Sequence, residues 1–199
     1  YIPTGPGGTS DTRGWQTLLR LLQRHRPARP LDGIILTIPC TELLGAPEQH
    51  SARLAQATQK ATVLTEKLWQ AQRLLGLRLP VYILLTKCDQ INGFQSFCAA
   101  LPARVREDIF GWSNPYTLEA AYVPRWLDEA FEALRTQLAQ VQMVIMAHSA
   151  PLQDRDGFFL FPQAFEEVRE PMRIYVDHLF ASSAYHEAFF FRGLYFCGD

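Results

Sequence analysis

An excess of either charge is missing from this sequence. Lysine and arginine together number 19, aspartate and glutamate 20, and the formal net charge is −1. No basic face follows from that balance, so charge gives no support to a nucleic-acid partner. Long apolar runs are missing too: none reaches the roughly 20 residues that span a bilayer. No signal-peptide pattern is present. Cysteine is scarce, with four residues, Cys40, Cys88, Cys98 and Cys197, and no C-x-x-C pair. Three of them sit in or beside apolar segments, so they read as buried reduced thiols rather than a zinc or disulfide framework. None of the five histidines (His25, His50, His148, His178, His186) has metal-ligand spacing with a second donor. Ser182-Ser183 near His186 lacks the G-x-S-x-G elbow of a hydrolase.

What is present is an ordinary globular balance. The 199 residues are 48% apolar and 20% charged, enough for one sizeable core or one domain with a subdomain. The sequence opens on Tyr1 rather than Met and is read as a piece of a longer protein. Residues 1–14 are rich in Gly, Pro and Thr without a period and read as a loop. "WQTLLRLLQRHR" places Trp15, Leu18, Leu19 and Leu22 at helical spacing, and Pro27 and Pro30 stop that helix.

"GIILTI" (33–38) then reads as a short strand buried on both faces, the habit of parallel sheets. Residues 48–76 carry Leu54, Val63, Leu64, Leu68, Trp69 and Leu75 as the apolar stripe of a long helix, closed by Gly76 and Pro80. "VYILLT" (81–86) is the next strand. Strand, long helix, strand is a βαβ crossover and points to an α/β sheet.

Beyond residue 93 the pattern changes. Short helices are expected near 94–101 and 103–110, a loop at 111–117, and a long helix at about 123–147. "GFFLF" (157–161) reads as a strand or buried turn. Residues 163–181 read as one amphipathic helix kinked at Pro171. Glu166, Glu167 and Glu170 fall on its solvated face. "FFFRGLYFCGD" is a last core strand. Trp112 and Tyr116, in a Pro-bearing loop, read either as packed rings or as an exposed patch for a partner.

The chemistry-bearing motif is Thr86-Lys87-Cys88-Asp89 at the carboxyl end of an apolar strand, where ligands of parallel α/β sheets sit. A strand ending in [N/T]-K-x-D suits reading of a guanine base. The carboxylate accepts two hydrogen bonds from the ring N–H and the exocyclic amine, and the lysine stem lies along the base. Residues i and i+2 point the same way as the strand frays, so Lys87 and Asp89 can act together. The bare pattern is weak, and its place after a crossover helix strengthens it. The alternative is a solvated turn.

The blocks "RHRPARPLDGIILTI", "LPVYILLTKCDQINGF", "GFFLFPQAF" and "FRGLYFCGD" together resemble the cytoplasmic domain of the IcmF/TssM family. These proteins are inner-membrane components of the bacterial type VI secretion system. The resemblance covers nearly the whole sequence. It implies a P-loop GTPase-like fold, a mostly parallel sheet flanked by helices, with an added helical subdomain. On that pattern residues 1–93 form the GTPase-like α/β part, 94–150 the helical addition, and 151–199 the return to the core. Tyr1 matches the tyrosine closing the metal-side D-T-A-G-R-Y motif, which places that motif, the amino-terminal strand and the P-loop before residue 1.

"GPGG" (5–8) is no phosphate loop, because no strand precedes it and no Lys-Ser/Thr follows. "DTRG" (11–14) belongs, on the family pattern, to a switch-like segment before the first helix. Cys197-Gly198 stands where the family has Thr-Ser, at the turn whose backbone N–H meets a guanine oxygen. The departure weakens that assignment, while a backbone donor survives it. The base-site residues implied are thus Thr86, Lys87, Asp89, Cys197 and Gly198.

No catalytic residue and no cofactor is identified within these residues. The complete domain would take GTP or ATP with Mg²⁺. The family further implies the cytoplasmic face of the inner membrane, attachment through transmembrane segments outside this sequence, and contacts with TssL, TssJ and the baseplate. It implies a scaffold; the alternative is a working NTPase.

Overall fold

The computed structural model describes residues 12–147, 152–181 and 187–198. Tyr1, "GPGG", Asp11, His148, Ser182, Ser183 and His186 lie outside the described residues.

The first helix, α1 (Thr12–His25), already contains Thr12, Arg13 and Gly14 of "DTRG", so these three residues open the helix rather than precede it. Leu19 is buried, and the Trp15 indole N–H donates to the Lys67 carbonyl. β1 (Ile34–Pro39) follows, and then the 26-residue α2 (His50–Leu75). The deepest stripe of α2 is small: Ala57, Ala61, Thr65, Leu68, Ala71 and Leu75. Small side chains let another helix approach closely, and the Thr65 hydroxyl satisfies itself on the Ala61 carbonyl. Gly76, at φ 64°, takes the left-handed cap that ends the helix. β2 (Pro80–Thr86) runs parallel to β1, with Ile34 opposite Val81 and Pro39 opposite Thr86.

Two short helices come next, α3 (Phe94–Ala100) and α4 (Ala103–Arg106). The expected loop at 111–117 contains a strand, β3 (Gly111–Ser113). Three residues are too few for a period to show in sequence. Trp112 packs on Phe191, and Tyr116 stacks on Trp126 at 4.6 Å between ring centres. Both rings are half-buried, so this loop is not the exposed aromatic patch that was one reading of it. α5 (Arg125–Ala147) is the long helix anticipated, burying Trp126, Leu127, Phe131, Leu134 and Leu138.

The largest departure is at "GFFLF". It is neither strand nor turn but part of α6 (Arg155–Glu166). Asp154 caps this helix, its carboxylate accepting the Gly157 N–H. Phe158, Phe161 and Phe165 recur at helical spacing and are all buried. The expected single helix at 163–181 is broken. α6 stops at Glu166 and α7 (Arg169–Phe180) begins three residues later. Pro171 therefore sits in the first turn of α7, where its missing N–H costs nothing, and no interior kink arises. β4 (Phe190–Phe196) closes the chain.

The sheet order is β1-β2-β4-β3, with the first three strands parallel and β3 antiparallel. One face buries Ile38, Val81, Ile83, Leu85, Phe191, Leu194 and Phe196 in a single cluster with α2, α5, α6 and α7. "GIILTI" is not buried on both faces: Ile35 and Thr37 are exposed, because β1 lies at the sheet edge and nothing among the described residues covers that side.

Candidate functional site

The carboxyl ends of β2 and β4 meet, as the sequence motif requires. The Cys197 N–H donates to the Leu85 carbonyl at 2.8 Å, and the Cys88 N–H donates to the Cys197 carbonyl at 3.0 Å. Those two bonds stitch the Thr86–Asp89 turn to the end of β4. Gly198 is packed so closely that a Cβ there would stand 2.6 Å from the Asp89 backbone nitrogen. A small residue is therefore a steric requirement at 198. All five sequence candidates, Thr86, Lys87, Asp89, Cys197 and Gly198, thus belong to one junction.

The geometry of the turn corrects the argument from strand alternation. Lys87 has φ 58° and ψ 38°, a left-handed conformation uncommon outside glycine. Cys88–Gln90 then form a 3-10 turn. The chain is not extended through 87–89, so the two-residue period does not align Lys87 with Asp89. Lys87 is exposed and Asp89 half-buried. The Asp89 carboxylate accepts a hydrogen bond from the Gln90 side-chain amide at 2.5 Å. A non-glycine residue held at positive φ beside a strand end is the kind of local strain that collects at binding sites.

Beneath the turn lies a pair that sequence reasoning missed. Cys40 follows β1, Cys88 follows β2, and their Sγ atoms are 3.4 Å apart in complete burial. The hydrogen bond with Cys40 first, and burial second, push the Cys88 thiol far up. The two are packed thiols, not a disulfide. Cys98 is half-buried, its thiol raised by desolvation. Cys197 is exposed. Forty-eight residues separate the pair in sequence, and only strand adjacency brings them together.

Beside the junction a cavity of about 880 Å³ opens among Leu84, Phe97, Leu138, Phe161 and Phe196, with Cys197 and Gly198 on its wall. Lys87 and Asp89 do not line it. The structure thus divides the candidate set: Cys197 and Gly198 line the cavity, and the lysine and aspartate do not. Among the described residues no cluster of three or more His, Cys, Asp or Glu could hold a metal ion, and no helix is long and apolar enough to cross a membrane. His178 meets Thr62 through its Nε2 at 3.0 Å, joining α7 to α2. Of the three glutamates expected in solvent, Glu166 instead accepts from the Arg169 guanidinium and is partly buried.

The chain is 29% identical over 190 residues to the type VI secretion system component TssM1 of Pseudomonas aeruginosa. That match covers 94% of this chain and 16% of TssM1, so the chain spans about a sixth of its relative's length. No solved structure matches. The family model described as the IcmF-related N-terminal domain matches residues 8–199. Nearly the whole chain is covered by that model, and the chain belongs to the IcmF/TssM family.

Proposed function

We propose that this chain is an interaction domain of a type VI secretion membrane complex, working as a scaffold. The observation that carries the reading is the similarity to TssM1 along 94% of the chain. We assign the domain to the cytoplasmic face of the inner membrane, with transmembrane attachment outside these residues. TssL, TssJ and baseplate components are the partners of the complex in this reading. The fold is a P-loop GTPase-like core to which residues 94–150 add helices. Phosphoryl transfer needs a phosphate cradle, a held Mg²⁺ and a positioned water. The scaffold reading asks for none of these.

One observation favours a second reading, an NTPase. The backbone bonds from Cys197 to Leu85 and from Cys88 to Cys197 bring the end of β4 against the Lys-x-Asp turn, as a base site demands. In that reading GTP or ATP with Mg²⁺ binds the complete domain, Asp89 and Lys87 read the base, and a P-loop upstream of Tyr1 holds the phosphates.

The two readings separate in a secretion assay on the full-length protein carrying Asp89→Ala. Scaffold function predicts secretion within about twofold of the parent, with normal protein levels. Loss of secretion at normal levels and normal complex assembly would instead favour nucleotide use.

A further inference from the structure

Balanced charge totals conceal a local imbalance. Residues 12–31, which are α1 and the turn after it, hold five of the 19 basic residues and none of the 20 acidic ones. The five are Arg13, Arg20, Arg24, Arg26 and Arg29, and all are exposed. Arg13, Thr17, Arg20 and Arg24 follow one another at intervals of three and four residues, so they share one side of the helix. The opposite side packs inward: Leu19 is fully buried, and the Trp15 indole N–H is tied to the Lys67 carbonyl.

Helix stability does not account for these arginines. In α5 and α7 arginines answer to carboxylates: Arg125 pairs with Glu129, Arg135 with Glu132, and Arg169 and Arg173 with Asp128. Arg26 and Arg29 share Asp32, just beyond α1. Arg13, Arg20 and Arg24 form no ion pair among the described residues, and α1 contains no carboxylate side chain. Arg20 and Arg24 stand four residues apart, a like-charge spacing that weakens a helix. Arg13 lies in the first turn, where the helix dipole disfavours a cation; of the three, only Arg24, in the last turn, is favoured by it. Two leucines share this outer surface. Leu18 and Leu21 are 44% and 47% exposed, and Leu21 lies within one turn of Arg20 and Arg24.

We propose that the outer face of α1 docks on the anionic phospholipid headgroups of a bilayer. The arginines meet lipid phosphates, and Leu18 and Leu21 enter the boundary between headgroups and acyl chains. Guanidinium groups bind phosphate with two parallel hydrogen bonds. A helix with basic groups beside exposed leucines suits a position in the plane of the membrane surface. A negative lipid surface attracts each arginine without demanding a matched partner for it. A nucleic acid fits less well, because the single aromatic ring of α1, Trp15, is tied inward and offers no base a platform. An acidic protein would match the charge alone; the choice of lipid over it rests on the proposed assignment to a membrane face.

The test uses the purified full-length protein in lipid nanodiscs, with a photocrosslinking amino acid in place of Leu21. An oligonucleotide and polyglutamate are present in solution as rival anions. Lipid adducts should form in discs of phosphatidylglycerol, at least about fivefold more than in discs of phosphatidylcholine. Arg13→Gln, Arg20→Gln and Arg24→Gln together should remove that difference. Arg13→Lys, Arg20→Lys and Arg24→Lys together should keep it, which separates lost attraction from a damaged helix. Three results overturn the proposal: equal yields from the two lipids, adducts chiefly on the oligonucleotide, the polyglutamate or a second copy of the chain, or a glutamine variant that crosslinks like the parent. Entry into the discs reports separately on membrane attachment. A protein that enters without crosslinking to lipid fails the docking proposal alone, and one that does not enter fails the membrane-face assignment with it.

Discussion

At residue scale the thiols give the sharpest expectation. Thiolate, not thiol, reacts with alkylating reagents. The Cys88 thiol is held protonated by its hydrogen bond with Cys40 and by burial, and both are fully shielded. Cys197 is exposed. Peptide-level alkylation at neutral pH should therefore modify Cys197 first and Cys98 slowly, with Cys40 and Cys88 modified only on unfolding. Early modification of Cys88 would mean that the Lys87–Asp89 turn opens readily. Gly198 gives a second expectation. A Cβ at 198 would press on the Asp89 nitrogen at 2.6 Å and on the Phe94 ring at 2.8 Å. Gly198→Ala should cost about 1–3 kcal/mol, the usual range for overpacking, measured by denaturant unfolding. A neutral result would show that the junction yields.

The junction was legible from its two ends, because apolar strands that stop at Lys-x-Asp and at a small residue are visible in the letters. The left-handed Lys87 and the Cys40–Cys88 pair were not. The first is a backbone state that no side-chain pattern reports, and the second exists only once β1 and β2 lie side by side.

At the scale of elements, α5 and α7 are joined by charge as well as by packing. Asp128, in the first turn of α5, accepts from Arg169 at 2.6 Å and from Arg173. Its carboxyl pKa is lowered, by the Arg173 bond first and the Arg169 bond second. A depressed folded pKa stabilises the fold above the unfolded value, and that stabilisation is lost as pH falls through the folded one. The site is partly exposed, so the net worth is small. Asp128→Asn should cost about 1 kcal/mol at pH 7, roughly 2–4 °C in melting temperature. The difference from the parent should vanish well below pH 4. A difference unchanged at low pH would mean that packing, not charge, carries the effect.

The long elements were readable because their period persists. Leu127, Phe131, Leu134 and Leu138 in α5 leave little ambiguity. "GFFLF" misled because a short apolar run fits strand and helix alike; the deciding signals were Asp154 before it and Phe165 after it. β3 is a strand only because β4 is there to pair with it.

For the whole molecule, the described residues place one covered face on the sheet and an uncharged strand, β1, at its edge. At the carboxyl ends of β2 and β4, Cys197 and Gly198 line a cavity that Lys87 and Asp89 do not line. The α/β class followed from the βαβ order alone. The edge position of β1 did not, because "IILTI" is spelled as an interior strand.

In the scaffold proposal the Lys87–Asp89 turn is a structural terminus rather than a working base site. The most direct test is calorimetric titration of GTP and of ATP, each with Mg²⁺, into the full-length protein and its Asp89→Ala variant. The account predicts no saturable heat from either nucleotide, and the same for the variant. Saturable GTP binding by the parent that Asp89→Ala abolishes would contradict it, and would make the turn a site that reads a base.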